Sequence, residues 1–516
     1  MRVAQDENIA RALLHAEQRD PDAPALRSGT EVITHGELDA AILTASALLA
    51  SHGVAPGDRV GLIVPNVPQF AVIYYAVLAA GAVAVPISPL LSAPEARFCL
   101  NDAGARLAFL APDAHGPGLA ELKPSAQVLE VGTESLGPLG PGERLDVEVV
   151  PRAGEDTAVI IYTSGTTGRP KGARLTHRNL ASNADAILEA AGISAATVAL
   201  GALPLSHSFG QTWLLNATLR AGGSVSLLAS FDARRALEKI AEHQVTFFAG
   251  VPTMFAKMLE VQKQTDASSL QLCVSGGAAM PHELMNAFEA NFGCEIREGY
   301  GLSETSPLVT LNPPGAARRP GSVGPPIPGV EVKAVADDGA ELDAGEVGEI
   351  LVRGHNVMKG YWGRPHETAR AITGDGWFRT GDVGYVDLDG YLYISGRKKD
   401  LIIRGGYNVY PREVEEALLE HPDVAEAAVL GIPHPTLGEE VAAAVRLQEG
   451  ADCTAEDLRR HARERLAAFK YPRRIWTVEA LPTGPTGKVL KRLIEVPAEP
   501  IHAVSNPVPQ GDRRNQ

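Results

Sequence analysis

The clearest chemical potential in the chain lies in one short loop, Tyr162-Thr163-Ser164-Gly165-Thr166-Thr167-Gly168-Arg169-Pro170-Lys171-Gly172. It leaves an apolar run, Thr157 to Tyr162, that reads as a β-strand. Backbone N–H groups and Ser/Thr hydroxyls in such a loop converge on anionic oxygens. Glycine lets the backbone approach closely, and Lys171 adds positive charge. The chemistry this suits is the holding of a polyphosphate. It is not the P-loop of G-x-x-x-x-G-K-[ST] type, because Pro170 precedes the lysine and Gly172 follows it. A plain surface loop would not concentrate three glycines and four hydroxyl residues directly after a buried strand.

Further along stand residues that are ordinary one at a time. Tyr300 offers an aromatic face, Glu304 a hard carboxylate of the kind Mg²⁺ takes, Asp382 a carboxylate able to accept from two hydroxyls, and Arg397 a charge-assisted donor. A lone tyrosine is more often core, a lone Glu or Arg more often solvated surface, and an Asp in Thr-Gly-Asp-Val more often a turn residue. Other chemistries lack their residues. There is no G-x-S-x-G elbow, no H-E-x-x-H, and no G-x-G-x-x-G following a strand.

Taken in order, these pieces resemble the adenylate-forming superfamily of acyl-CoA synthetases, firefly luciferase and peptide-synthetase adenylation domains. The loop at 162–172 looks like its phosphate loop. Gly299-Tyr300-Gly301-Leu302-Ser303-Glu304-Thr305 is similar to its adenine and magnesium motif, with Ser303 where Thr usually stands. Arg379-Thr380-Gly381-Asp382 matches its ribose motif and Gly396-Arg397-Lys398-Lys399-Asp400 its hinge. Arg404-Gly405-Gly406-Tyr407-Asn408-Val409 resembles the segment beside the thiol tunnel, and Pro485-Thr486-Gly487-Lys488 the terminal lysine motif. The series covers about residues 10 to 495.

The resemblance implies roles residue by residue. Thr163, Ser164, Gly165, Thr166, Thr167, Gly168 and Lys171 would cradle phosphates. Gly276, Gly277, Ala278, Gly299, Tyr300, Gly301 and Ser303 would border adenine and the acyl group. Glu304 would hold Mg²⁺, and Asp382 and Arg397 would meet the ribose. Lys399 would be the hinge, and Gly405 and Gly406 would let a pantetheine arm pass. Lys488 would be the cation bridging the carboxylate and the α-phosphate, where negative charges must be brought together. His207, in Leu203-Pro204-Leu205-Ser206-His207-Ser208-Phe209-Gly210, would border and gate the acyl pocket. A general base is not needed, since the nucleophile is already a carboxylate.

The implied reaction is ATP-dependent: acyl-AMP and pyrophosphate form first, then a thiol attacks and AMP leaves. In the family the small C-terminal domain rotates between the halves. Wall segments implied by the resemblance run from His207 to Trp213, Gly250 to Thr253, Ser275 to Ala278 and Gly299 to Leu308. They carry no Arg or Lys for a second carboxylate, which disfavours diacids and favours an apolar acid. The phrase Glu298 to Pro307 looks most like fatty-acyl-CoA ligases, a resemblance that implies fatty acids of medium or long chain ahead of coumarate-type aryl acids. Coenzyme A is the expected acceptor. Relatives that load an acyl carrier protein typically carry a block inserted before the hinge, and none stands between Gly360 and Lys399. A silent ATP-binding scaffold is disfavoured by the presence of Lys171, Glu304, Asp382 and Lys488 together.

Elements that position these residues follow the α/β pattern. Strands are expected at Arg59 to Val64, Thr157 to Tyr162 and Leu272 to Ser275, the last followed by a helix with Pro281 in its first position. From about Gly321 to Gly396 short alternating runs predict an antiparallel, turn-rich portion. After Asp400 the pattern becomes a compact α+β module: a helix from Pro411 with Val414, Ala417 and Leu418 on one face, a strand at Val424 to Val429, and a capping box at Thr454-x-x-Asp457. The expected architecture is therefore an α/β domain over residues 1–398, a small mobile α+β domain over 399–495, and a disordered tail over 496–516.

The chain has 516 residues and a net charge of −15, which argues against binding nucleic acid or anionic membrane through its overall field. Its four cysteines show no C-x-x-C spacing, and its first residues carry no apolar signal-peptide core, so a reducing cytoplasm is the expectation. Participation in fatty acid metabolism is what the resemblance to fatty-acyl-CoA ligases implies. A homodimer is open to it. The uncharged run from Phe70 to Ile87 approaches membrane-span length, but Gly81 and Pro86 interrupt it, which predicts a buried helix turning into a buried strand.

Overall fold

A computed structural model of the protein describes residues 7–14, 19–111, 122, 124–140, 148–163, 170–261, 265–315, 319–484 and 489–497. The calls on Ser164, Gly165, Thr166, Thr167, Gly168 and Lys488, and nearly all of the tail, lie outside these residues. The chain divides into two compact units, the first running to Lys398 and the second starting at Lys399.

The first unit is built on two large sheets. One has eight strands, with a parallel centre that includes Val198–Gly201, Phe247–Gly250, Leu272–Ser275 and Glu295–Gly301. The other has seven, with Arg59–Ile63, Val83–Pro86 and Thr157–Thr163 in its parallel part. Gly321 to Gly396 contributes a separate antiparallel sheet of four strands, Val330–Val335, Gly348–Gly354, Phe378–Val386 and Leu392–Arg397.

The uncharged run resolves into the helix Pro68–Ala79 and the strand Val83–Pro86. All twelve helix residues are buried, and the helix packs against strands of both large sheets. That is why its sequence has no polar face. At 1.5 Å per residue it is about 18 Å long, far short of a bilayer core. Among the described residues no helix is long and apolar enough to cross a membrane. Leu272–Ser275 forms the strand expected there, while Pro281 stands just before the helix His282–Phe292 rather than in its first position.

Two buried histidines tie this core to the N-terminal segment. His35 Nδ1 accepts from Arg19 Nε at 3.1 Å while its Nε2 meets the Gly222 carbonyl at 3.1 Å. His177 Nδ1 accepts the Ile9 amide at 3.2 Å. Both rings are thus held neutral, and burial first, then a nearby arginine, lowers each from 6.5 to about 4. A lowered folded-state value means stability fully present above pH 6.5 and lost as pH falls towards 4. Each histidine should cost the fold about 2 kcal/mol between pH 7.5 and pH 5. Thermal melts at those two pH values check this, with His177→Gln flattening the dependence; an unchanged slope in the variant would reject it.

The second unit is an α+β module. The strands Ile402–Arg404, Tyr407–Val409, Val424–His434, Gly438–Leu447 and Arg474–Thr477 form its sheet. Helix Pro411–Leu419 buries Pro411, Val414, Ala417 and Leu418, the expected face, against it. The capping box forms as the sequence predicts, with Thr454 Oγ1 accepting from the Asp457 amide.

Candidate active site

The strand Thr157–Thr163 is apolar where it is buried and turns back in antiparallel register on Lys171–Thr176, placing Thr163 opposite Lys171 and Tyr162 opposite Gly172. The two ends of the phosphate-loop segment therefore meet as neighbours. Their base is fastened from outside. Tyr162 OH donates to Asp102 Oδ2 at 2.8 Å, and Arg364 donates to Asp102 Oδ1 at 2.6 Å. Asp102 and Arg364 had no distinguishing pattern in the sequence, because the contacts span 60 and 262 residues. With Asp102→Asn the amide cannot accept on both sides, so the hairpin loosens. The expected result is a KM for ATP raised roughly threefold to tenfold, a loss of about 1 kcal/mol, with kcat less affected. Steady-state kinetics at varied ATP measures it.

Glu304 comes next to this hairpin. The strand Glu295–Gly301 ends in a single turn at Ser303–Thr305, and the chain returns through a cis Ser306–Pro307 bond into Leu308–Leu311. The return is so tight that a Cβ on Gly301 would lie 2.0 Å from the Pro307 carbonyl oxygen. Thr305 Oγ1 donates to that same carbonyl at 2.7 Å, and the Met358 amide donates to the Glu304 carbonyl at 2.8 Å. With its backbone held, Glu304 accepts through Oε1 from Thr163 Oγ1 at 3.2 Å and from Tyr361 OH at 3.1 Å. Burial and the Glu304 charge both raise the Tyr361 phenol, so it stays a donor. Lys171 Nζ sits 5.4 Å from the centre of the Tyr361 ring. Among the described residues both hydrogen bonds fall on Oε1, which leaves Oε2 for a cation. A single hard carboxylate beside a phosphate loop fits Mg²⁺, which takes few protein ligands and completes its shell with phosphate and water.

A second cluster centres on Asp382, which is buried in the strand Phe378–Val386. Tyr300 OH donates to its Oδ2 at 2.5 Å, and Arg397 Nε lies 2.8 Å from its Oδ1. Antiparallel register sets Asp382 directly across from Arg397. Thr380 orders the turn by accepting the Asp382 amide at 3.0 Å. The Tyr300 hydroxyl is raised well above its ordinary value, first by burial and then by the Asp382 charge. Both carboxylate oxygens thus already meet a protein donor, where the sequence offered them to the ribose hydroxyls.

The segments expected to wall the acyl pocket are built differently. His207 caps a short turn, its Nδ1 accepting the Phe209 amide at 3.3 Å, which makes it a positioning group in this structure. Phe209 packs across Gly276, where a Cβ would come within 3.2 Å of its ring. Its ring stands edge-on to Trp213, and Trp213 stacks on Phe247 with centroids 5.6 Å apart. Ser208 and Ser303 join hydroxyls at 3.1 Å, linking this wall to the Glu304 turn. Gly277 adopts φ 80°, a conformation that favours glycine, and it and Ala278 are exposed. The turn from Gln211 to Leu219 is a fully buried π-helix, which the sequence did not foretell. A Cβ on Gly299 would meet the Thr310 carbonyl at 3.1 Å.

The structure therefore brings Thr163 to Glu304, and Tyr300 to Asp382 and Arg397. Lys399, Gly405 and Gly406 belong to the second unit, where the two glycines form the turn of a hairpin at φ 58° and 86°.

The sequence matches two family models, AMP-binding enzyme over residues 13–362 and AMP-binding enzyme C-terminal domain over residues 413–488. The chain belongs to this family of AMP-binding enzymes, the adenylate-forming superfamily. It is similar to a long-chain-fatty-acid–CoA ligase of Bacillus subtilis, 37% identical over 94% of this chain and 93% of that one. A feruloyl-CoA synthase of an Amycolatopsis species is 38% identical over 91% and 95%. The structure of ATP-bound MatB from Rhodopseudomonas palustris superimposes with a TM-score of 0.88 at 35% identity, covering 94% and 97%. By this kinship the chain is an enzyme, an AMP-forming acid–thiol ligase working through an acyl-adenylate, with ATP and coenzyme A as co-substrates.

Proposed function

We propose that the acid is an apolar one, a fatty acid of medium or long chain, and that the two clusters hold the two ends of ATP. The observation that carries the acid assignment is the wall itself. The segments His207 to Trp213, Gly250 to Thr253, Ser275 to Ala278 and Gly299 to Leu308 hold no Arg or Lys to meet a second carboxylate, and Phe209, backed by the buried Trp213 and Phe247, covers Gly276. Similarity to a long-chain-fatty-acid–CoA ligase supports the same reading. An aryl acid is the second reading, favoured by the feruloyl-CoA relative.

On this reading Thr163 and Lys171 approach the phosphates. Glu304 holds Mg²⁺, which when bound supplies positive charge against the polyphosphate. Asp382 accepts from the ribose hydroxyls, with Tyr300 and Arg397 fixing its orientation, and the Tyr300 ring faces adenine. Lys488 meets the α-phosphate as the carboxylate attacks. Lys399 serves as the hinge, and Gly405 and Gly406 leave room for the thiol arm of coenzyme A.

Pyrophosphate release from Mg-ATP, with acids from acetate to long fatty acids plus malonate and coumarate, tests this with and without coenzyme A. Turnover should peak with apolar acids and yield a thioester only when coenzyme A is present. Lys488→Ala should lower pyrophosphate release about a hundredfold while still converting supplied acyl-AMP to thioester. A best rate on malonate would reject the apolar pocket. Pyrophosphate without thioester would instead point to a carrier protein as acceptor.

A further inference from the structure

The second unit carries a cluster that the adenylate chemistry does not use. Helix Pro411–Leu419 ends, and the chain turns through His421 and Asp423 into the strand Val424–His434. Cys453 stands just ahead of Thr454, the cap of helix Ala455–Arg465. A ring nitrogen of His421, a carboxylate oxygen of Asp423 and the Cys453 sulfur lie within 4.8 Å of one another. His421 Nε2 and Cys453 Sγ are 3.8 Å apart. Each of the three side chains is half-buried. His461 stands edge-on behind His421, ring centroids 4.9 Å apart, with its Nε2 held by the Ala417 carbonyl.

We propose that His421, Asp423 and Cys453 form a binding site for a zinc ion. Zinc takes sulfur at about 2.3 Å and nitrogen or oxygen at about 2.0–2.1 Å in tetrahedral array, so neighbouring donors stand roughly 3.3–3.6 Å apart. The Nε2–Sγ separation is therefore within a few tenths of an ångström of a ligated pair. The remaining contraction is a side-chain adjustment at the surface. One nitrogen, one sulfur and one oxygen donor suit a borderline-soft ion, whereas Mg²⁺ and Ca²⁺ prefer oxygen alone. Partial exposure leaves water to complete the fourth position.

Binding has definite costs. The Asp423 amide donates to His421 Nδ1 at 3.2 Å, so in the free ring Nε2 carries the proton. Ligation by Nε2 moves that proton to Nδ1 and gives up the long amide bond. Cys453 enters as a thiolate and releases one proton per ion bound, against burial and the nearby Asp423 and Asp457 charges that raise the thiol. In return the ion ties the turn after one helix to the start of another, a cross-link within a unit that has none of its own.

Cobalt(II) is the probe, titrated into the metal-free full-length chain. Cys99, Cys273 and Cys294 are buried, so a thiolate-to-cobalt charge-transfer band would report Cys453 alone. The expected result is a band that saturates at one ion per chain, is bleached by zinc, and is absent in Cys453→Ser. His421→Ala should weaken it at least tenfold. Zinc should raise the thermal midpoint of the wild type and leave that of Cys453→Ser unmoved, and the serine variant should keep its circular dichroism and its pyrophosphate release. No charge-transfer band in the wild type, or one that survives in Cys453→Ser, would overturn the site.

Discussion

Asp382→Ala should lower kcat/KM for ATP by about a thousandfold, close to 4 kcal/mol of transition-state stabilisation. Three losses act together. The ribose loses its proposed acceptor, Tyr300 OH loses its 2.5 Å partner in a part-buried setting, and Arg397 loses the charge that holds it at 2.8 Å. A buried donor left without a partner costs about 1–3 kcal/mol by itself. Arg397 is about one-third exposed, so water takes up part of its loss. Tyr300→Phe separates these contributions. It removes only the hydroxyl, keeps the ring, and should cost about fivefold to tenfold. Asp382→Asn should fall between the two, because its amide keeps one acceptor while turning a donor towards Arg397. Steady-state kinetics at varied ATP, with circular dichroism to confirm folding, make the comparison. If Asp382→Ala binds ATP as the wild type does and loses only stability, the carboxylate is a structural clasp, and the ribose assignment fails.

The Asp382 cluster also shows what was readable in the sequence. Asp382 and Arg397 sit in short motifs with their own turn chemistry, so both could be named from local residues. That they face one another depends on the antiparallel register of two strands, and nothing local states a register. Tyr361 and Asp102 were missed for the same reason. Each acts through contacts with residues far along the chain, and each lies in a stretch that reads as ordinary helix or strand. Core elements with strong periodicity or an uninterrupted apolar run, such as Pro68–Ala79 and Leu272–Ser275, were legible because burial itself writes that pattern. The π-helix at Gln211–Leu219 was not, since a fully buried helix has no polar face to betray its period. Phe209 over Gly276 was not legible: the sequence set the glycine beside adenine and the acyl group, and only the fold tells that a ring packs across it.

Glu304→Gln should lower pyrophosphate release roughly a hundredfold to a thousandfold and raise the Mg²⁺ concentration needed for half-maximal rate. The amide oxygen can still accept from Thr163 and Tyr361 in the place of Oε1, so the turn from Ser303 to Thr305 keeps its supports and the fold stays intact. What changes is the other half of the group. A neutral NH₂ replaces the oxygen left for a cation, and the charge that offset Mg²⁺ is gone. Glu304→Asp retains the charge but draws it back by one methylene, away from both hydroxyls, and should recover part of the Mg²⁺ dependence while loosening Tyr361. The second half-reaction separates metal binding from general damage. Thioester formation from supplied acyl-AMP involves no pyrophosphate, so Glu304→Gln should catalyse it within about threefold of the wild-type rate. Equal loss in both halves would mean that the substitution has disordered the site. An unchanged Mg²⁺ requirement with a normal first half would show that the carboxylate serves only to hold Tyr361 and Thr163 together.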